Sequence, residues 1–259
     1  MAANTLERIF SVDYKSKIQP IVSVCKRGEE LEYLNGPEGV TIDNSTGYIY
    51  VADCLNNCVK VFDCNAKIMF KFGDEEGEGK MCHPVGKGKR GKGDLEFDYP
   101  RGLTFDESNG EVYICDPRNH RIQIMSQELT FKAQFGQDNL KSPIDVNLTK
   151  EFIYILDLSD PCLHLYDYNL ILHKSVISIG CNNLQVIIHC SFHIDNSNNV
   201  LITNNFSNTI SILNSQLELI HRIPITHANG FTVDNRGRVI VVCNRGEHHL
   251  IIFDNFLFY

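Results

Sequence analysis

Apolar runs of four to eight residues recur along the chain in sets of four, and each is long enough for one strand and too short for an ordinary helix. Pro37–Asp43, Pro100–Asp106, Pro143–Leu148, Cys190–Asp195 and Asn229–Asp234 open successive sets. Second runs follow at Tyr48–Asp53, Glu111–Asp116, Phe152–Asp157, Asn199–Asn204 and Arg238–Cys243. Third runs cover Val59–Asp63, Arg121–Ser126, Leu163–Asp167, Thr209–Asn214 and His249–Asp254. Lys67–Gly73, Leu129–Gly136, Leu170–Gly180 and Leu217–Ile225 close the first four sets. The second runs are nearly all apolar, as in Tyr48-Ile-Tyr-Val-Ala and Phe152-Ile-Tyr-Ile-Leu, which predicts strands buried on both faces. Polar turns such as Asp43-Asn-Ser-Thr-Gly47 and Asp106-Glu-Ser-Asn-Gly110 separate first from second runs, where Asx hydrogen bonding and a residue tolerant of positive φ favour a hairpin. No segment carries a convincing helical period. Four strands per unit of about 40 residues predict an all-β fold of propeller blades.

The units lie at about 37–73, 100–136, 143–180, 190–225 and 229–259, within a single domain spanning 1–259. Ahead of them, Arg8–Asp13 copies a third run and Lys17–Gly28 follows as a fourth, so about 8–28 reads as the outer half of a blade. Five full repeats plus this half blade favour a six-bladed plan, incompletely populated, over five blades that close on themselves. An open ring would leave strand edges for self-association. Residues 73–99 form a Gly- and Lys-rich insertion.

The chain is 43% hydrophobic and 22% charged, a balance that folds. Its apolar runs are far shorter than a membrane-spanning helix needs, and the opening residues lack the basic and apolar regions of a secretory signal. Ten cysteines contain no Cys-x-x-Cys pair and mostly sit inside strand runs, as Cys115 and Cys243 do. They read as reduced, buried thiols of a cytoplasmic protein, and Cys54, Cys58 and Cys64 lack zinc-site spacing. The Asn-x-Ser/Thr triplets at Asn44, Asn147 and Asn205 are then chance occurrences. A net charge of −8 argues against a broadly nucleic-acid-binding surface and leaves local patches open.

Asp53-Cys-Leu-Asn56-Asn-Cys-Val59 and Asp116-Pro-Arg-Asn119-His120-Arg121-Ile122, together with the Pro-x-Gly openings and the Phe72-Gly73 and Phe135-Gly136 endings, resemble the NHL repeat. Gly91–Pro100 resembles that family's lead-in to a repeat, and the absence of Trp sets WD40 blades aside. The first two copies match well, the third moderately, and the last two keep the strands without the Pro or the Asp-x-x-Asn turn. The resemblance, closest to the NHL domain of tripartite-motif proteins, implies an NHL-type propeller that binds a protein partner, as the recognition part of a ubiquitin ligase whose RING and B-box patterns are absent from this chain. It also implies an alternative, single-stranded RNA binding in post-transcriptional regulation. Metal-dependent lyases and lactonases among propellers imply a second alternative, a metal-dependent enzyme.

Propeller geometry places the second-to-third loops and the blade-to-blade loops on one face. That reading gathers Lys87, Lys89, Arg90, Lys92, Arg101, Arg118, His120, Arg121 and Arg245 as candidate contacts for a protein or RNA. Against it, the insertion sets the acids Asp74, Glu75, Glu76, Glu78, Asp94, Glu96 and Asp98 beside the bases Lys80, Lys87, Lys89, Arg90 and Lys92, as a solvated loop would. The pairs His248/His249 and His189/His193 lack a third metal ligand, and no Gly-x-Ser-x-Gly elbow occurs, so no cofactor, metal or catalytic residue is assigned. The recurring Asp53, Asp116, Asp157 and Asn204 end second strands, where a carboxylate or amide would tie the following turn through backbone N–H groups.

Overall fold

A computed structural model describes residues 20–24, 33–73, 90–159, 162–177, 191–194, 200–204, 209–213, 219–224, 228–233, 239–243 and 249–253. After β1 (Pro20–Val24), the strands form hairpin-connected groups. The first sheet holds β2 (Pro37–Asp43), β3 (Tyr48–Asp53), β4 (Cys58–Phe62) and β5 (Ile68–Phe72). The second holds β6 (Leu103–Asp106), β7 (Glu111–Asp116), β8 (Arg121–Met125) and β9 (Phe131–Phe135). The third holds β10 (Pro143–Leu148), β11 (Ile153–Asp157), β12 (Cys162–Tyr166) and β13 (Leu172–Ile177). The fourth holds β14 (Phe192–Ile194), β15 (Val200–Asn204), β16 (Thr209–Leu213) and β17 (Leu219–Pro224). In the fifth, β18 (Ala228–Val233), β19 (Val239–Cys243) and β20 (His249–Phe253) are joined by β1, which pairs antiparallel with β20.

All strand pairs within these sheets are antiparallel, and each hairpin run expected from the apolar pattern is present. The first strands adjoin around an axis. β2 packs against β6 and β18, β10 against β6 and β14, and β18 against β14. Among the described residues this is a ring of five four-stranded sheets, a β-propeller. The N-terminal segment therefore differs from the half blade read from its repeat pattern. β1 is indeed an outer strand, but it supplies the missing fourth strand of the last unit instead of starting a blade of its own. Among the described residues the ring joins through this pairing and through the packing of β18 against β2 and β14. The copy at Arg8–Asp13 lies outside the described residues.

The core lies in layers between neighbouring sheets. Ile49 and Val51 face the fifth sheet with Val40, Ile42, Ile240, Val242, Leu250 and Ile252. Tyr50 and Ala52, on the alternate positions of the same strand, face the second sheet with Leu103, Val112 and Ile114. Period-two alternation thus buries both faces of β3, as its continuous apolar character requires. The Pro-x-Gly openings are explained at the axis. A Cβ on Gly39 would stand 2.4 Å from the Arg101 carbonyl oxygen, and one on Gly230 would stand 2.2 Å from that of Glu38. Adjacent first strands approach backbone to backbone there, and only glycine leaves the room.

Candidate functional site

The second-to-third turns and the lead-in segments of the blades meet on one face, as propeller geometry requires. A repeated carboxylate brace holds them. Asp53 Oδ1 accepts from the Asn35 amide at 2.6 Å, Asp116 Oδ1 from the Asp98 amide at 2.8 Å, and Asp157 Oδ2 from the Lys141 amide at 2.7 Å. Each amide belongs to the residue two places before the proline, Pro37, Pro100 or Pro143, at the opening of a first run. The same carboxylates also steady their own turns. Asn56 Nδ2 donates to Asp53 at 2.8 Å and Asn119 Nδ2 to Asp116 at 2.9 Å. The short 3-10 turns Cys54–Asn56 and Pro117–Asn119 then end on Asn57 and His120, both left-handed at φ 51° and 56°. The strand-ending acids are therefore structural, and they reach further than the following turn.

Consecutive blades are also tied together on this face. The Tyr99 amide donates to Asn57 Oδ1 at 3.1 Å, the Cys54 thiol donates to the Pro100 carbonyl at 2.6 Å, and His120 Nδ1 meets the Lys141 carbonyl. The Cys54 and Cys115 thiols are pushed well above their ordinary range by burial, which makes them inert packing groups.

Cations stand at two depths. Arg121 is 3% exposed. Its Nε lies 2.8 Å from Asp116, and its other nitrogens donate to Gln134 and to the carbonyls of Lys92, Gly93 and Glu96. Arg101 is also buried, against Glu38 at 3.5 Å. Burial pulls its pKa down, and Glu38 together with Cys54 and Tyr99 more than offsets that, leaving it raised. Neither guanidinium is available as a surface contact, which corrects the expectation for these two positions. Desolvation raised the requirement for partners, and both found them inside the protein.

Arg90 and Arg118 stand outside, with side chains 66% and 54% exposed. Asp98 holds both, Arg90 Nε at 2.7 Å and Arg118 Nη1 at 3.5 Å. The Arg118 guanidinium lies 4.5 Å from the Tyr99 ring centroid, a cation–π stack that leaves its outer edge in solvent. Lys92 and His120 are exposed beside them, through a segment fixed by the bond from Asn119 to the Gly91 carbonyl at 2.7 Å. Lys141 adds an exposed cation and Asp94 an exposed acid. Lys87, Lys89 and Arg245 lie outside the described residues, as do His189 and His248. His193 packs edge-on to Phe231 at 6.3 Å. Among the described residues, no group of three or more His, Cys, Asp or Glu side chains is placed to hold a metal. No described helix is long and apolar enough to cross a membrane.

Sequence reading missed Tyr99 and Lys141 on this rim. Tyr99 directly precedes the Pro-x-Gly opening, and an aromatic two places before Arg101 in the lead-in was the available signal. Comparison with known proteins agrees with the repeats. A family model described as NHL repeat matches residues 34–62 and 97–125. The chain is 28% identical to Protein brain tumor of Drosophila melanogaster over 173 residues, which is 64% of this chain and 15% of that protein. It is 32% identical to NHL repeat-containing protein 2 of Bos taurus over 95 residues, 37% of this chain and 12% of that one. The chain thus spans a small part of the curated relatives it matches. Among solved structures, the glutaminyl cyclase of Myxococcus xanthus superposes with a TM-score of 0.63 at 10% identity, covering 92% of this chain and 96% of that one. A luciferin-regenerating enzyme gives 0.57 at 11% identity, over 91% and 95% of the respective chains. Identities this low show a shared propeller fold and carry no chemistry across.

Proposed function

From the premise that this chain carries an NHL-repeat β-propeller domain, we propose that it is a non-catalytic platform recruiting a protein partner through the face of the turns and lead-in segments. The observation that supports this most is the exposed set Arg90, Arg118, Lys92 and His120 on a frame made rigid by the Asp53, Asp116 and Asp157 braces. Pre-fixed loops lose little conformational entropy on binding, and arginine stacked on tyrosine is a common interface anchor. The titratable groups most perturbed on this face are held in ion pairs and backbone bonds, which supports binding over catalysis. The surface favours a partner that presents carboxylates. In this reading the domain supplies recognition, and recruitment to a ubiquitin ligase would come from whatever chain carries the RING.

The test is partner capture from lysate by the wild-type chain and by an Arg90→Ala/Arg118→Ala variant, with and without ribonuclease. The reading expects protein capture that survives ribonuclease and is weakened by the variant. Capture abolished by ribonuclease, together with short single-stranded RNA binding that collapses between about 50 and 200 mM salt, would replace this reading with the RNA alternative.

A further inference from the structure

The opposite face, where first strands turn into second strands, holds a cleft of about 350 Å³ between the first and second sheets. Its walls include the aromatic rings of Tyr48, Tyr50 and Phe105 and the carboxylates of Asp43 and Glu107, and among the described residues no Lys, Arg or His lines it. Tyr50 and Phe105 are stacked, with centroids 5.9 Å apart and planes 25° apart. Glu107 belongs to the second sheet's hairpin and is locked across the gap, because Oε1 accepts from the Asn44 amide at 3.0 Å and from Asn44 Nδ2 at 2.6 Å. Among the described residues none hydrogen-bonds its other oxygen. Tyr50 is 3% exposed, and among the described residues none hydrogen-bonds its hydroxyl.

The repeat shows what such a site takes. Tyr113 occupies in the second sheet the place of Tyr50 in the first, three residues before the strand-ending Asp. Its hydroxyl donates to Glu111 Oε2 at 3.3 Å, and Glu111 is ion-paired with Lys132. The tyrosine–carboxylate pair of the second sheet is thus completed by an ammonium from its own fourth strand. In the first sheet the place of Lys132 is taken by Met69, which is 43% exposed, and the place of Glu111 by Tyr48. Two carboxylates line the cleft instead, Asp43 of the same sheet and Glu107 of the neighbouring one, and among the described residues no cation lines it.

We propose that this cleft is a binding site for one lysine or arginine side chain of a partner protein, whose charged head sits against Tyr50 and Phe105 and is paired by the free oxygen of Glu107. Aromatic faces attract a cation within about 6 Å of the centroid, and a carboxylate beside them adds charge without the cost of a fully buried pair. The volume is near the lower end for a side-chain-sized ligand. The site lies away from the arginine-bearing rim, so it stands or falls separately from the platform reading.

The test titrates the full chain with N-acetyl-lysine amide and N-acetyl-arginine amide, followed by nuclear magnetic resonance shifts, with the norleucine and citrulline counterparts as neutral isosteres. The cationic probes are expected to bind saturably with weak affinity, and the neutral ones to bind at least about fivefold more weakly. Glu107→Gln, a surface change, and Tyr50→Phe, the loss of one hydroxyl, should each weaken the cationic probes several-fold while melting like the parent. Glu151→Gln, which removes a surface carboxylate from the third sheet's hairpin, should change nothing. Equal binding of norleucine, unchanged affinity in both cleft variants, or no saturable binding of either cationic probe would overturn the assignment.

Discussion

Lys60→Met probes the brace on which the recognition face depends. The Lys60 side chain is wholly buried on β4, with Nζ 2.9 Å from Asp53 Oδ2 and a further bond to the Tyr33 carbonyl. Methionine keeps most of the aliphatic volume and removes the charge. Asp53, itself wholly buried, then keeps only its bonds from the Asn35 amide and Asn56. Breaking a buried pair in this way costs about 3–5 kcal/mol, because the remaining charge is uncompensated. The loss should depend on pH in a definite direction. Burial already raises the Asp53 pKa above its ordinary value, and Lys60 opposes that rise. Without Lys60 the pKa climbs further, so the folded variant takes up a proton that the unfolded chain does not, between the ordinary carboxylate value and the raised one. The deficit is therefore largest at neutral pH and shrinks as pH falls toward about 4. Asp53→Asn combined with Lys60→Met should recover much of the loss, because a neutral amide can still accept from Asn35. Urea unfolding followed by circular dichroism is the assay, since the chain has no Trp to report. A cost below about 1 kcal/mol, or a deficit that grows on acidification, would refute the reasoning.

Other outcomes follow from the same geometry. Arg121→Ala should destabilise by about 3–5 kcal/mol by stranding Asp116, whereas Arg118→Ala should stay within about 1 kcal/mol despite its ion pair, and paired melting curves separate the two. Gly39→Ala sets a methyl 2.4 Å from the Arg101 carbonyl and should cost about 1–3 kcal/mol, read as a lowered urea midpoint with unchanged slope. Burial pushes the Asp145 carboxyl up to about 7, against the opposing amide bonds from Phe192 and Val146 and a bond from the Ser191 side chain. The stability this proton uptake contributes is present below the ordinary carboxylate pKa and is lost as pH rises through about 7, amounting to roughly 4 kcal/mol at most. Asp145→Asn should remove that part of the decline in stability between pH 4 and 7, and an unchanged profile would contradict it.

The repeat, the strand order within each unit and the sharing of one face by turns and lead-ins were legible because they are local. Period-two burial and Asx turns leave marks within a few residues. Pairing of β1 with β20 was not legible, because it joins segments more than two hundred residues apart and nothing in either run specifies the other. The depth of the arginines was hidden for a related reason. Arg118 and Arg121 are three positions apart in one turn, yet one stacks on Tyr99 in solvent and the other fills a nest of carbonyls from residues 92–96. A polar residue amid an apolar third strand, as with Lys60 and Gln123, was the mark that the buried acid ending the second strand needed a partner. The Tyr50 cleft left its trace only in the comparison of repeats, where Met69 replaces the lysine of the next blade.

The most direct measurement of the recruiting face is amide hydrogen exchange of the chain alone and bound to its captured protein partner. The account predicts new protection concentrated at 90–101 and 116–121, around Tyr99 and Arg118. Protection confined to the hairpins at 43–48 and 106–111, with the arginine-bearing turns exchanging as before, would contradict it.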